Sequence, residues 1–159
     1  AAKRAAQRTI YYVQDQLEEW VRDEGRLGIA LCDRGTLDGL AYWPGEEDDF
    51  FAQMETTRER ELARYAAVIH LHTPGVDAYD RSNPLRVESA GEAVTLDNTI
   101  KRMWRGHPHR FFINSATLFE MKVAAALAII RKELPPCCRE HVGAGAVAAG
   151  CTQCSEVTP

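Results

Sequence analysis

An α/β fold built on a parallel sheet is what this sequence predicts, and three observations predict it. Short apolar runs at 27–32, 67–72 and 110–114 are separated by amphipathic segments of helix length, the alternation that a parallel sheet covered on both sides produces. The first run is unbroken, which suits a strand buried on both faces, and the second reads as another buried strand. Asp33-Arg34-Gly35 follows the first run directly, at the carboxyl end of the expected strand, and that end is where ligands sit in open α/β sheets.

The elements follow in order. Residues 3–24 read as an amphipathic helix, because Ile10, Val13, Leu17, Trp20 and Val21 recur at three- and four-residue steps and Gly25 follows as a stop. Leu27 to Cys32 is the first strand, with Cys32 expected in the core. Thr36 to Tyr42 is a short helix ended by Pro44-Gly45, and Glu46 to Asp49 reads as an acidic loop. Thr56-x-x-Glu59 has the form of a capping box for a helix through Tyr65. Ala67 to His72 is the second strand, stopped by Thr73-Pro74-Gly75. The stretch 76–88 is polar and irregular, broken at Asn83-Pro84. Ser89-x-x-Glu92 caps the next helix, whose Leu96, Ile100, Met103 and Trp104 share a face. His107-Pro108 ends it, and Phe111-Phe112-Ile113 forms the third strand. A last helix, 117–134, carries the stripe Phe119, Val123, Leu127, Ile130 and Leu134 before Pro135-Pro136. This divides the chain into a domain at 1–136 and a Gly/Ala-rich, cysteine-containing tail at 137–159 without periodicity.

Composition narrows the function. A net charge of −4, with basic residues interleaved among acids, gives no stripe for a nucleic acid. The longest apolar run, Val123 to Ile130, falls far short of the ~18 residues that span a bilayer, so no transmembrane segment is expected. No apolar core follows the basic residues at 1–8 as a secretory signal would require, which makes the cytoplasm the expected compartment. No G-x-x-x-x-G-K-[ST] loop occurs anywhere, and Lys101 and Lys122 lie on helices outside any glycine turn.

Several residues could carry chemistry, each beside a plainer role. Asp33 can hold a metal ion or activate a hydroxyl, or it can cap the following helix. Arg34 can fix a phosphate or sit in a surface ion pair, and Gly35 is expected to serve backbone geometry. Arg81 and Arg86 can clamp a phosphoryl group or be solvated loop arginines. Asp38 and Asp97 are helix carboxylates for which contact with a ligand is the lesser reading. His70 and His72 alternate on a strand and read first as hydrogen-bonded buried histidines. His107 and His109 read as a structural turn. Cys137, Cys138, Cys151 and Cys154 contain a C-x₂-C hook, but adjacent cysteines make strained co-ligands, so zinc ranks last.

Four blocks then carry a resemblance: CDRGTLDGLAYWPG (32–45), TTRERELARYAAVIHLHTP (56–74), SNPLRVESAGEA (82–93) and GHPHRFFINS (106–115). They resemble the AAA-type P-loop ATPase domain of the kinase-like division, related to the ribosylnicotinamide-kinase part of bacterial nicotinamide-nucleotide enzymes. The resemblance implies a three-layer parallel sheet whose P-loop strand lies between the strands at 27–32 and 67–72. That strand and its Walker A loop are not in this chain. The sequence starts in mid-helix without an initiator Met, so roughly 40–60 residues are expected ahead of Ala1, given that a βαβ unit takes ~30 or more. A chain so cut is expected to be poorly stable alone, with exposed strand edges open to pairing.

The resemblance also implies ATP or GTP with Mg²⁺, and an unidentified small-molecule acceptor. It casts Asp33 as the residue that holds Mg²⁺ indirectly or acts as base, with Arg34 and Arg86 on substrate and γ-phosphate. Arg81 and Glu88 would bind substrate or phosphate within a lid near 76–88. Without its phosphate cradle the chain is expected to bind nucleotide only weakly. The alternative is a non-catalytic protein- or lipid-interaction module on the same fold.

Overall fold

The computed structural model describes residues 1–25, 29–73, 89–115, 118–134 and 139. Two of the three apolar runs, rich in β-branched and aromatic side chains, become strands there. β1 (Val68–Leu71) and β2 (Arg110–Ile113) pair in parallel, from Val68 opposite Arg110 to Leu71 opposite Ile113. The Val68 amide donates to the His109 carbonyl at 2.9 Å and the His72 amide to that of Ile113 at 3.0 Å. Parallel neighbours cannot be joined by a tight turn, and the crossover between them includes α4 (Ala90–Met103). Since alternate residues of a paired strand face its partner, the backbone groups of Ile69 and Leu71 point away from β2. Among the described residues these two strands make up the whole sheet.

The first apolar run does not behave as expected. Residues 29–32 follow an irregular path, Leu31 is 72% exposed, and Cys32 is exposed rather than part of the core. A strand exists only where a neighbour takes up its amides and carbonyls. Among the described residues, the edge of β1 away from β2 is unpaired and lies across an open cleft from Cys32, and no strand lies beside this segment.

The rest of the described chain is mostly helical: α1 (Ala2–Glu24), a 3₁₀ helix at Thr36–Tyr42, α2 (Glu47–Gln53), α3 (Arg58–Ala63), α4 and α5 (Phe119–Glu133). α1 turns a different face inward from the one its apolar spacing suggests. Ile10, Val13, Leu17 and Trp20 are 55–61% exposed, while Tyr11 is buried and Gln14, Asp15 and Glu18 reach into the protein. The cause is a polar network on α3 and just beyond it. Glu61, only 2% exposed, accepts hydrogen bonds from Tyr11 (2.7 Å), Thr36 (2.5 Å) and Thr56 (2.7 Å). Arg64 pairs with Asp15 and, at 2.7 Å, with Glu18. Charge-assisted bonds of this kind are about twice as strong as neutral ones, and here they fix how α1 is rotated.

Two apolar clusters flank the network. Tyr11, Leu40, Trp43, Phe50 and Met54 form one, with Phe50 meeting Tyr11 and Trp43 edge to face. Leu37, Ile100 and Trp104 form the other, joining the 3₁₀ helix to α4. The acidic stretch 46–49 is the start of α2 rather than a loop, because Glu47, Asp48 and Asp49 complement the positive end of that helix. Thr57, not Thr56, caps α3, and that helix ends at Ala63. Ser89 and Glu92 form both halves of the expected capping box on α4. α5 lies against β2 with Phe119, Val123 and Leu127 exposed and Leu134 buried at its end. No helix among the described residues is long and apolar enough to cross a membrane. The expectations for the lid near 76–88 and for Cys137, Cys138, Cys151 and Cys154 lie outside the described residues.

Candidate functional site

A cleft of about 490 Å³ separates residues 32–35 from the free edge of β1. Ile100 of α4 and Trp104 at its C-cap contribute to its lining, and its polar residues include Asp33, Arg34, Asp38, His70 and Asp97. It therefore opens beside the carboxyl end of a parallel strand, the end at which open α/β sheets bind ligands.

The Asp33-Arg34-Gly35 turn is held from behind. Gln14 donates to the Arg34 carbonyl, and the Thr36 amide donates to the Tyr65 hydroxyl at 2.8 Å. That hydroxyl donates in turn to Glu18 at 2.7 Å. Burial, reinforced by Glu18, pushes the Tyr65 phenol well up, against the opposing effect of its bonds to Thr36. Tyr65 thus stays a neutral donor that locks the turn. Gly35 has φ −100° and ψ 156°, extended backbone that any residue adopts, so the expected conformational role does not explain it. Its requirement is space: a Cβ there would lie 2.2 Å from Cζ2 of Trp104.

The turn leaves two side chains for the cleft. Asp33 does not cap the 3₁₀ helix, whose N-cap is Gly35 with no side-chain cap bond. Arg34 is more than half exposed and lies 3.5 Å from Asp38. Asp38 is buried and accepts from the Trp104 indole at 2.6 Å, so it supports both Trp104 and Arg34 rather than standing free for a ligand. The result is a carboxylate and a guanidinium on a rigid mount.

A second polar group lies at the end of β1. Asp97 accepts from His70 Nε2 at 3.0 Å, from His72 Nδ1 at 2.9 Å and from the Thr73 amide at 3.1 Å. Burial pushes the Asp97 carboxyl up, but the bonds from His72, Thr73 and His70 outweigh it and hold the group below the usual carboxylate range. The side chains of His70, Asp97 and His72 are 9%, 11% and 25% exposed. The His72 ring stacks on Phe112, with 17° between the planes. The alternation of His70 and His72 is visible in the sequence; their union through Asp97 is not, since the aspartate comes from α4. His107 is the structural histidine expected: its Nε2 donates to the Tyr65 carbonyl at 2.7 Å and its Nδ1 accepts from the His109 amide at 3.1 Å.

The structure thus brings Asp33 and Arg34 to one cleft with His70 and Asp97. Arg81, Arg86 and Glu88 lie outside the described residues. Compared with known proteins, the chain matches the family model of the AAA domain over residues 2–121. No curated protein and no solved structure matches it.

Proposed function

The chain belongs to the AAA-domain family of P-loop NTPase-like proteins, and from that premise we propose that the cleft is the acceptor side of a nucleotide site, serving an ATPase or a small-metabolite kinase. The observation that carries this reading is Asp33: it lines the cleft on a braced turn and, among the described residues, its carboxylate makes no hydrogen bond or ion pair. Mg²⁺ is bound through one or two carboxylates together with substrate phosphates, and Asp33 fits that use, directly or through water. Bound there, Mg²⁺ would neutralise phosphate charge. Arg34 and Arg86 would act on substrate and γ-phosphate, and Arg81 and Glu88 would bind substrate or phosphate from the segment near 76–88. The cytoplasm is the compartment this reading calls for.

The phosphate cradle itself would come from a strand and glycine turn laid along the free edge of β1. Ile69 and Leu71 turn their backbone groups to that edge, and the cleft separates it from residues 32–35. No G-x-x-x-x-G-K-[ST] turn occurs in the sequence, so the chain alone should hold nucleotide weakly. A non-catalytic interaction module is the second reading, favoured by the exposed row Ile10, Val13, Leu17 and Trp20 on α1. Isothermal titration with Mg²⁺·ATP and Mg²⁺·GTP separates the two. Saturable binding near a Kd of about 1 mM, worth about 4 kcal/mol, and weaker in Asp33→Asn and Arg34→Ala, supports the nucleotide site. Titrations without saturable heat, or variants equal to the parent chain, would leave the interaction module.

A further inference from the structure

We infer that His70, His72 and Asp97 form a binding site for a divalent transition metal, zinc in chemical type, with an open coordination position toward the cleft. His70 and His72 are two apart at the carboxyl end of β1, and a strand places alternate side chains on one face. Asp97 comes to them from α4. One ligand atom from each of the three residues lies within 4.8 Å of the others. The His70–Asp97 and His72–Asp97 separations are 3.0 and 2.9 Å. In a tetrahedral zinc site with bonds near 2.0–2.1 Å, neighbouring donor atoms stand about 3.3 Å apart. The two contacts therefore need to open by a few tenths of an ångström. His70 meets Asp97 Oδ1 and His72 meets Oδ2, so binding through one shared oxygen also needs a ring to move across the carboxylate, bringing three donors now within 4.8 Å of one another to about 3.3 Å.

The donor set selects the ion. Two imidazoles and one carboxylate carry a single negative charge and suit Zn²⁺, Co²⁺ or Fe²⁺, whereas Mg²⁺ and Ca²⁺ take oxygen donors. This site is thus chemically distinct from a Mg²⁺ position at Asp33. Without metal, His70 Nε2 and His72 Nδ1 each donate a hydrogen bond to Asp97. On coordination each ring would carry its proton on the other nitrogen and offer the freed lone pair to the ion. The Thr73 amide would go on orienting the carboxylate, and Phe112 stacked on His72 would fix that ring. Three protein ligands leave a fourth position open, the pattern of a site that acts on a bound molecule rather than only bracing the fold. His70, Asp97 and Thr73 line the cleft, so a water or a ligand oxygen held there can fill that position.

Co²⁺ titration of the full chain, followed by visible absorption and then by Zn²⁺ displacement, tests this. The five cysteines are alkylated beforehand so that thiolates do not compete. One equivalent of Co²⁺ is expected, with the absorption of nitrogen and oxygen ligation and no thiolate charge-transfer band. His72→Gln and Asp97→Asn should each weaken uptake by ~10-fold or more. Circular dichroism identifies variants that retain the parent fold, and His72→Gln is the milder change because that side chain is the most exposed of the three. No saturable uptake, or uptake unchanged in a folded His72→Gln chain, overturns the proposal. The titration contains no nucleotide, so its outcome is independent of the nucleotide reading.

Discussion

Gly35→Ala probes the turn that carries Asp33 and Arg34. The added Cβ would lie 2.2 Å from Cζ2 and 2.5 Å from Cη2 of Trp104. Carbon atoms rest at about 3.5–4.0 Å, so loop and indole would have to part by ~1.3 Å. Trp104 is poorly placed to yield: its indole donates to Asp38 at 2.6 Å, and its ring meets Tyr65 edge to face at 5.1 Å. Overpacking costs about 1–3 kcal/mol, and strain on a buried bond to a carboxylate brings the expectation to about 2–3 kcal/mol. For a chain of this length that lowers Tm by roughly 5–10 °C. Urea denaturation followed by far-UV circular dichroism measures the loss, and a double-mutant cycle identifies its cause. In a Trp104→Leu background the clashing ring atoms are gone, so Gly35→Ala should there cost less than ~0.5 kcal/mol, a clear non-additivity. An equal cost in both backgrounds would refute the steric argument and point to a backbone requirement that φ −100° does not suggest.

Other perturbations test the network that holds α1. Glu61→Ala removes the common acceptor of the Tyr11, Thr36 and Thr56 hydroxyls; urea denaturation should show a loss of about 3–5 kcal/mol, as for breaking a buried charged pair. Burial and the nearby Glu61 push the Tyr11 phenol well above its ordinary value, and burial with Glu18 does the same for Tyr65. A group with a raised folded pKa contributes stability in full below its unfolded value and loses it as pH climbs toward the folded one. Stability should therefore fall as pH rises above about 10, where an unfolded tyrosine ionises, and Tyr11→Phe should reduce that fall in an alkaline denaturation series.

What the sequence made legible, and what it hid, follows from the range of each interaction. Ser89 and Glu92 cap α4 through bonds spanning three residues, so the motif alone identified them. β1 and β2 were visible because β-branched and aromatic runs bounded by breakers suit paired strands. The run ending at Cys32 is apolar too, but only Ile29 in it is β-branched and none of it is aromatic, and strand formation also needs a neighbour, which composition does not report. In α1 the apolar spacing pointed outward because Arg64 and Glu61, far along the chain, capture the polar face. The site divides the same way. Asp33 and Arg34 were legible from their place after an apolar run. The link from Asp97 to His70 and His72, and the indole that forces glycine at 35, depend on contacts between α4 and distant segments.

The most direct test is to map where a nucleotide lands. Backbone amide NMR of the chain, titrated with Mg²⁺·ATP and Mg²⁺·GTP, reads all its segments at once. Saturable shifts are expected only at residues 33–38, 70–73 and 93–97, along the walls of the cleft. Shifts centred instead on α1 or α5, with these residues unmoved, would contradict the nucleotide reading.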